Sequence, residues 1–549
     1  MKRRIYSLFI ALSLLVVSAC DLDLQDDPNA VTAATADPNL VLNRIQLDFV
    51  NFFNTTGNNG MRLTRMLNQG SNLYEQAYVP INFNGIWTTA YANILNDIKF
   101  LEGRAEPANF RRHLGMARTM RAYVLITLVD YFNAVPYSAA LDPNEFNPGY
   151  DDPAAIYAAA LADLNQAKQD FTAAVSSGSP NDFFYAGNYA NWVKLVNSLQ
   201  LKLHLNRKLV DAAGAASAIT ALVAENNFIE PGQEFVFRYG SNLTDPDARH
   251  PRFASQYTPG GGGDYQSTWY MWHLTEEKGF DDPRVRFYMY RQVLANPTDP
   301  DQLRCLGEIA PGHYLAGGFP FCLPGTRGYW GRDHLNAEGI PPDGLGRTAW
   351  GVYPAGGRFD NNAGQSINPT AGAGGAGIQP IMLPAYVDFM LAEAYQTIPS
   401  IKDTGKAKEL VGTGMKKSFD YVRAFSIVSQ AGVINTFEPL ADYNVRVTNY
   451  ITFVNNEFDA ATDARKMYFI GREYWLALYG NGNESYNLYR RTGQPDGMQP
   501  GLLANFGDFP RSLFYPNNHL VTNNRAVQKG SQRERVFWDT NPEGNDWVN

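Results

Sequence analysis

Residues 114–132, LGMARTMRAYVLITLVDYF, decide the fold class of this 549-residue chain. From Met120 onward the stretch is apolar on nearly every side, as expected of a helix packed between other helices. Its most apolar part, Ala122 to Val129, is too short to cross a bilayer and reads as a buried helix. Helical spacing continues outward. Asp151 and Asp152 can cap a helix whose first turn holds Pro153, and Ile156, Ala160, Leu164, Ala167 and Phe171 then share one face. Trp192, Leu195, Val196, Leu199 and Leu203 repeat the spacing. It returns at Val387, Met390, Leu391 and Ala394, and at Met467, Ile470, Tyr474 and Ala477. Helices joined by short Pro, Gly and Asn loops predict a mainly α fold of stacked helix pairs. No fixed-period sequence repeat accompanies them.

Between 231 and 379 the character changes. PGGGG (259–263), YPAGG (353–357) and TAGAGGAG (370–377) carry too much glycine for long helices, and the interleaved aromatics exclude simple disorder. Long ordered loops of this kind usually serve function. The expected division is a helical scaffold (37–230), a glycine-rich aromatic region (231–379), C-terminal helices (380–500) and an irregular tail (501–549), all in one unit.

The first residues say where the chain works. Lys2, Arg3 and Arg4 precede an apolar run from Ile5 to Val17, and Val17-Ser18-Ala19-Cys20 resembles a bacterial lipobox. The expectation is a signal peptide over 1–19, lipidation of Cys20, and an acidic tether over 20–36 holding Asp21, Asp23, Asp26 and Asp27. Acyl chains on Cys20 would anchor the protein to a membrane without spanning it. The alternative is an ordinary signal peptide with an incidental cysteine.

The net charge is -8 with no basic block beyond the signal peptide, which argues against nucleic acid as a partner. With Cys20 lipidated, Cys305 and Cys322 remain. In an exported protein such a pair suggests a disulfide, which contributes roughly 3 kcal/mol in the chain-entropy model. The alternative is two free thiols. Two cysteines with scattered histidines do not make a zinc site.

Several short motifs now line up. Trp87-Thr88-Thr89-Ala90-Tyr91 with Asn93, Ala117-Arg118 with Arg121-Ala122-Tyr123, and Leu128 to Tyr137 occur in order. Ile156-Tyr157 with Asp163-Leu164 and Ala167, Trp192 with Asn197-Ser198-Leu199, Leu391-Ala392-Glu393-Ala394, and Tyr489 to Pro495 follow. Together they resemble the SusD/RagB family of Bacteroidetes outer-membrane lipoproteins. Asn133 and Ala134 stand where that family usually has glycine and aspartate. The resemblance implies a tetratricopeptide-like helical scaffold with a more irregular second half. It also implies a surface-exposed outer-membrane lipoprotein that captures oligosaccharide, or in the RagB branch peptide, for a SusC-like TonB-dependent transporter.

The candidate ligand residues are the loop aromatics Tyr265, Trp269, Trp272, Tyr329, Trp330, Trp350 and Tyr353, set among glycines that have no side chain to cover them. Sugar rings can lie flat on such rings while amides and carboxylates take their hydroxyls. Tyr74 and Tyr78 are outlying candidates. Arg118 and Arg121, on an apolar helix, call for buried partners and fit a salt-bridged scaffold. Asp333, Glu338 and Asp343 could offer oxygen to calcium, but EF-hand spacing is absent and turn-forming acids fit better. No Gly-x-Ser-x-Gly, His-Glu-x-x-His or P-loop occurs, no cofactor is implied, and a glycoside hydrolase remains the lesser reading.

Overall fold

The computed structural model describes residues 36–259, 262–338 and 346–542. Cys20, the signal peptide, nearly all of the tether and Asp343 lie outside the described residues. Among the described residues no helix is long and apolar enough to cross a membrane.

The Asp37 side chain accepts the Asn39 N–H and Pro38 occupies the first turn, so α1 (Pro38–Leu63) begins there. Leu42, Ile45, Phe49, Phe52 and Phe53 give it one buried face. A helical run from Asn84 passes through a π-helical segment, Thr88–Leu95, into α2 (Asn96–Ala105). The stretch read first is α3 (Arg111–Phe132), buried all round from Leu114 to Phe132 except at Arg121, and stopped by Asn133 with φ at 68°. Next come α4 (Pro153–Thr172), capped by Asp152, α5 (Tyr189–Arg207) and α6 (Ala212–Glu225). Each of these packs on its predecessor, which is the tetratricopeptide-like stacking of helix pairs.

The glycine-rich region contributes little regular structure. Strand β1 (Phe235–Arg238), α7 (Thr268–Thr275), β2 (Met289–Tyr290), β3 (Ala349–Trp350) and β4 (Ile378–Met382) are its main elements. β1 pairs with β4 and β2 with β3, both antiparallel. Helices then return as α8 (Pro384–Thr397), α9 (Thr404–Phe437), α10 (Leu440–Ala460), α11 (Asp463–Ala477) and α12 (Gly482–Thr492). One apolar core runs through both halves, from Leu42 to Trp538. Gly60 and Gly482 let α1 and α12 meet backbone to backbone. A Cβ on Gly60 would stand 1.9 Å from the Gly482 carbonyl oxygen, so no larger residue fits there without parting the helices.

Charged motif residues are structural. Arg121 holds Asp163 through bonds of 2.7 and 2.6 Å and reaches Glu102 at 2.6 Å. Arg118 joins Asp170 and Glu106. At the centre, Arg491 of α12 clamps Glu393 of α8 through bonds of 2.6 and 2.8 Å, and Lys208 adds a third at 2.7 Å. Burial alone would raise the Glu393 carboxyl, but Arg491 and Lys208 hold it below its ordinary value. Lys202 of α5 pairs with Glu484 of α12 beside them. Five charges from α8, α12 and the α5 end thus lock the scaffold to the C-terminal helices.

Candidate functional site

The structure corrects the expectation that glycine leaves the loop rings open. Trp350 and Tyr353 have no exposed surface, and Trp330, Trp269, Tyr329 and Tyr265 are also buried. Trp350 stacks on Tyr479 at 4.7 Å, under the Arg252 guanidinium. Tyr353 stacks on Tyr288 at 5.3 Å. Trp269 packs against Trp475 and His273. Tyr329 lies beneath Arg291, and Tyr265 has Arg332 and Arg347 over its ring. Tyr74 and Tyr78 are core residues, and the Tyr74 hydroxyl meets His334 at 2.9 Å. Trp272 is partly exposed at the edge of the main core. Glycine is itself part of the cover: a Cβ on Gly346 would lie 2.3 Å from the Trp330 ring, so the edge of that ring abuts the backbone.

The cysteine pair is bonded, with Cα atoms 5.6 Å apart. The bridge, Leu303 and Trp330 form a small core of their own under the bridged loop. Asp333 fastens this loop from below. Its carboxylate accepts the Cys322 N–H at 2.8 Å and the Gln499 amide at 2.9 Å, while Gln499 also donates to the Pro320 carbonyl. Burial pushes the Asp333 carboxyl up to about 6 against the opposing pull of those donors. Asp333 is therefore a tie for this loop. Among the described residues no group of three or more His, Cys, Asp or Glu side chains could hold a metal.

Above this tie lies a cleft of about 460 Å³. Phe321, next to the bridge, gives it a partly exposed aromatic wall; Ile309 and Leu503 add apolar surface, Ile309 being 90% exposed. Asn72 and Asn336 bring amides, and their oxygens are held by the N–H groups of Ala337 and Glu338. Arg304 stands between Glu308 and Glu338 at 3.3 and 3.4 Å. An apolar ring face, amides, carboxylates and a guanidinium thus meet in one place. Chain segments more than two hundred residues apart in sequence build it, around residues 72, 304–338 and 502. Sequence reading missed Phe321, Asn72 and Asn336. The one signal available was that Phe321 sits beside a bridged cysteine.

Comparison with known proteins adds the following. A SusD-like family model, described as starch-binding associating with outer membrane, matches residues 28–302, half of the chain. No protein of curated function matches. Among solved structures, a chitin-binding SusD homolog from Flavobacterium johnsoniae is 18% identical, with a TM-score of 0.61 over 92% of this chain and 99% of that one. A SusD/RagB family protein from Bacteroides thetaiotaomicron is 16% identical, with a TM-score of 0.64 over 92% and 100%. A SusD homolog from Bacteroides fragilis is 19% identical, with a TM-score of 0.62 over 92% and 99%. At these identities the likeness is one of fold.

Proposed function

We propose a function from one premise: the chain belongs to the SusD-like family of starch-binding proteins associating with the outer membrane. It captures oligosaccharide in the cleft over the disulfide loop and hands it to a SusC-like TonB-dependent transporter. It binds without turnover and is held at the cell surface through lipidated Cys20. The observation that carries the reading is the mixture in the cleft, with Phe321 beside Asn72, Asn336, Glu308, Glu338 and Arg304. A pyranose has C–H faces that lie against an aromatic ring and hydroxyls that need both donors and acceptors, and a site for it needs both kinds of surface.

Calorimetry of the mature protein against starch and chitin oligosaccharides tests the reading. At least one should bind, and Phe321→Ala should weaken it by about thirtyfold, the loss of roughly 2 kcal/mol typical of a central ring. The melting temperature should move little. A panel without any bound glycan, or full affinity in Phe321→Ala, would remove the cleft from consideration. Palmitate labelling that survives Cys20→Ala would remove the anchor.

A further inference from the structure

A second cavity, of about 510 Å³, shares no residue with the disulfide-loop cleft. It opens between α9 and the β1–β4 sheet. Its wall is mainly apolar: Phe425, Ile378 and Leu383, with the rings of Tyr239 and Tyr421. Tyr421 and Phe425 lie four residues apart on α9, so both project from one face of the helix. Tyr353, the buried ring read from the sequence, stands edge-on behind both, at 6.3 Å from Tyr421 and 5.8 Å from Phe425. Beyond them α9 kinks at Gln430, whose amide donates to the Gly357 carbonyl and accepts the Phe359 N–H. The two lining rings therefore stand on a fixed base.

The polar groups of this cavity divide into satisfied and unsatisfied ones. Lys417 is held by Asp388 at 2.9 Å, Asp420 by Lys416, and Glu234 accepts the Gly232 N–H at 2.8 Å. Two groups are left. Exposed Arg238, at the end of β1, has no carboxylate partner among the described residues. The Tyr421 hydroxyl is shielded from solvent and has no hydrogen-bond partner among them. A buried hydroxyl without a partner costs stability unless something occupies it. Its charged neighbours are Glu234 and Arg238, and all three line the cavity. Burial raises the Tyr421 phenol above its ordinary value, so it keeps its proton and can donate.

We propose that this cavity binds an apolar carboxylate, with the hydrophobic body against Phe425, Tyr239, Ile378 and Leu383 and the carboxylate between the Arg238 guanidinium and the Tyr421 hydroxyl. The chemistry is shared by a free aryl-alkanoic acid and by the C-terminus of a peptide ending in a large apolar residue. An uncharged sugar fits poorly, because nearly all other lining groups are apolar or already paired. The proposal does not rest on the glycan reading.

The mature protein is titrated calorimetrically with 4-phenylbutyrate and with its amide, and with a tripeptide ending in Phe as free acid and as C-terminal amide. At least one acid should bind, and its amide should bind at least about tenfold more weakly. Arg238→Gln should cost that acid about tenfold with unchanged melting temperature, and Tyr421→Phe severalfold with a melting temperature that does not fall and rises where the unpartnered hydroxyl is costly. Ala424→Trp, which fills the cavity, should abolish binding, whereas Phe321→Ala should not affect it. Binding of the free acid alone identifies a small-molecule source, and binding of the peptide acid alone identifies a peptide terminus. Equal affinity for acid and amide, indifference to Arg238→Gln, or no binding of either acid overturns the proposal.

Discussion

The helical frame and the glycine-rich middle both exclude water, but from opposite materials. In the frame, charges buried between helices close into sets, such as Glu393 with Arg491 and Lys208. In the middle, large rings are closed in by other rings and by tight backbone, as where Trp350 stacks on Tyr479 and the Trp330 edge meets Gly346. The first solution depends on charge, because each buried ion needs its counterion. The second depends on shape, because a ring covered by backbone has no room to spare. The difference teaches why the rings that the sequence concentrates in the middle are covered.

The largest effects should come from removing one key residue in each region. Glu393→Ala leaves Arg491 and Lys208 buried and facing each other, and should cost about 3–5 kcal/mol of stability. Trp350→Ala opens a cavity beside Tyr479 and should cost about the same. Conservative replacements then separate the two regions in denaturant melts. Glu393→Gln keeps the shape and loses the charge, and should retain most of the penalty. Trp350→Phe keeps an aromatic ring and should retain the smaller part. If Glu393→Gln proves nearly neutral, the frame is held by shape after all and the contrast fails.

That contrast also marks what could be read from sequence. Periodicity located the frame helices, the Asp152-Pro153 start and the buried stripe of α4, because a helix face is written locally at a fixed spacing. Partners for Arg118 and Arg121 followed from the cost of an unpaired buried charge. Burial of Trp330, Trp350 and Tyr353 did not follow, because the covering groups come from residues such as Tyr288 and Tyr479, remote in sequence. The clefts were illegible for the same reason. Phe321 and Asn72 meet only through the tertiary fold, and Tyr421 and Phe425 lie on a long helix outside the glycine-rich region where the candidate rings were sought.

Asp333 sharpens the comparison at intermediate size, since it is a buried carboxylate of the middle without the direct guanidinium pair that Asp282 has in Arg284 and Asp360 in Arg291. Unlike Glu393, it is opposed to burial mainly by N–H donors, with Arg332 the smallest of the pulls, and its folded value lies near 6 against an ordinary 3.8. Between those values the native state binds more protons than the unfolded one, so stability falls as pH rises through the window. The expected loss is on the order of 2–3 kcal/mol between about pH 4 and pH 7. Asp333→Asn should remove that part of the slope in melts taken across the range. An unchanged slope would mean that the carboxylate is as well compensated as the frame charges.

The smallest effect bears on the claim that glycine covers the rings. Gly346 does not need its glycine for backbone conformation, since its φ is not in the left-handed region. The constraint is steric: an added Cβ would lie 2.3 Å from one atom of the Trp330 ring and 3.1 and 3.3 Å from two more. The ring cannot retreat freely, because Leu303, Cys305 and Cys322 close the other side of its small core. Gly346→Ala should therefore cost about 1–2 kcal/mol, the usual penalty for overpacking a filled site. The same change should cost less once the ring is made smaller. In a double-mutant cycle with Trp330→Phe, the two changes should be less than additive by at least about 0.5 kcal/mol. Additive costs would place the strain elsewhere than on the ring. A neutral Gly346→Ala would show that Trp330 has space above it, and Trp330 would then return as a ring that a ligand could reach.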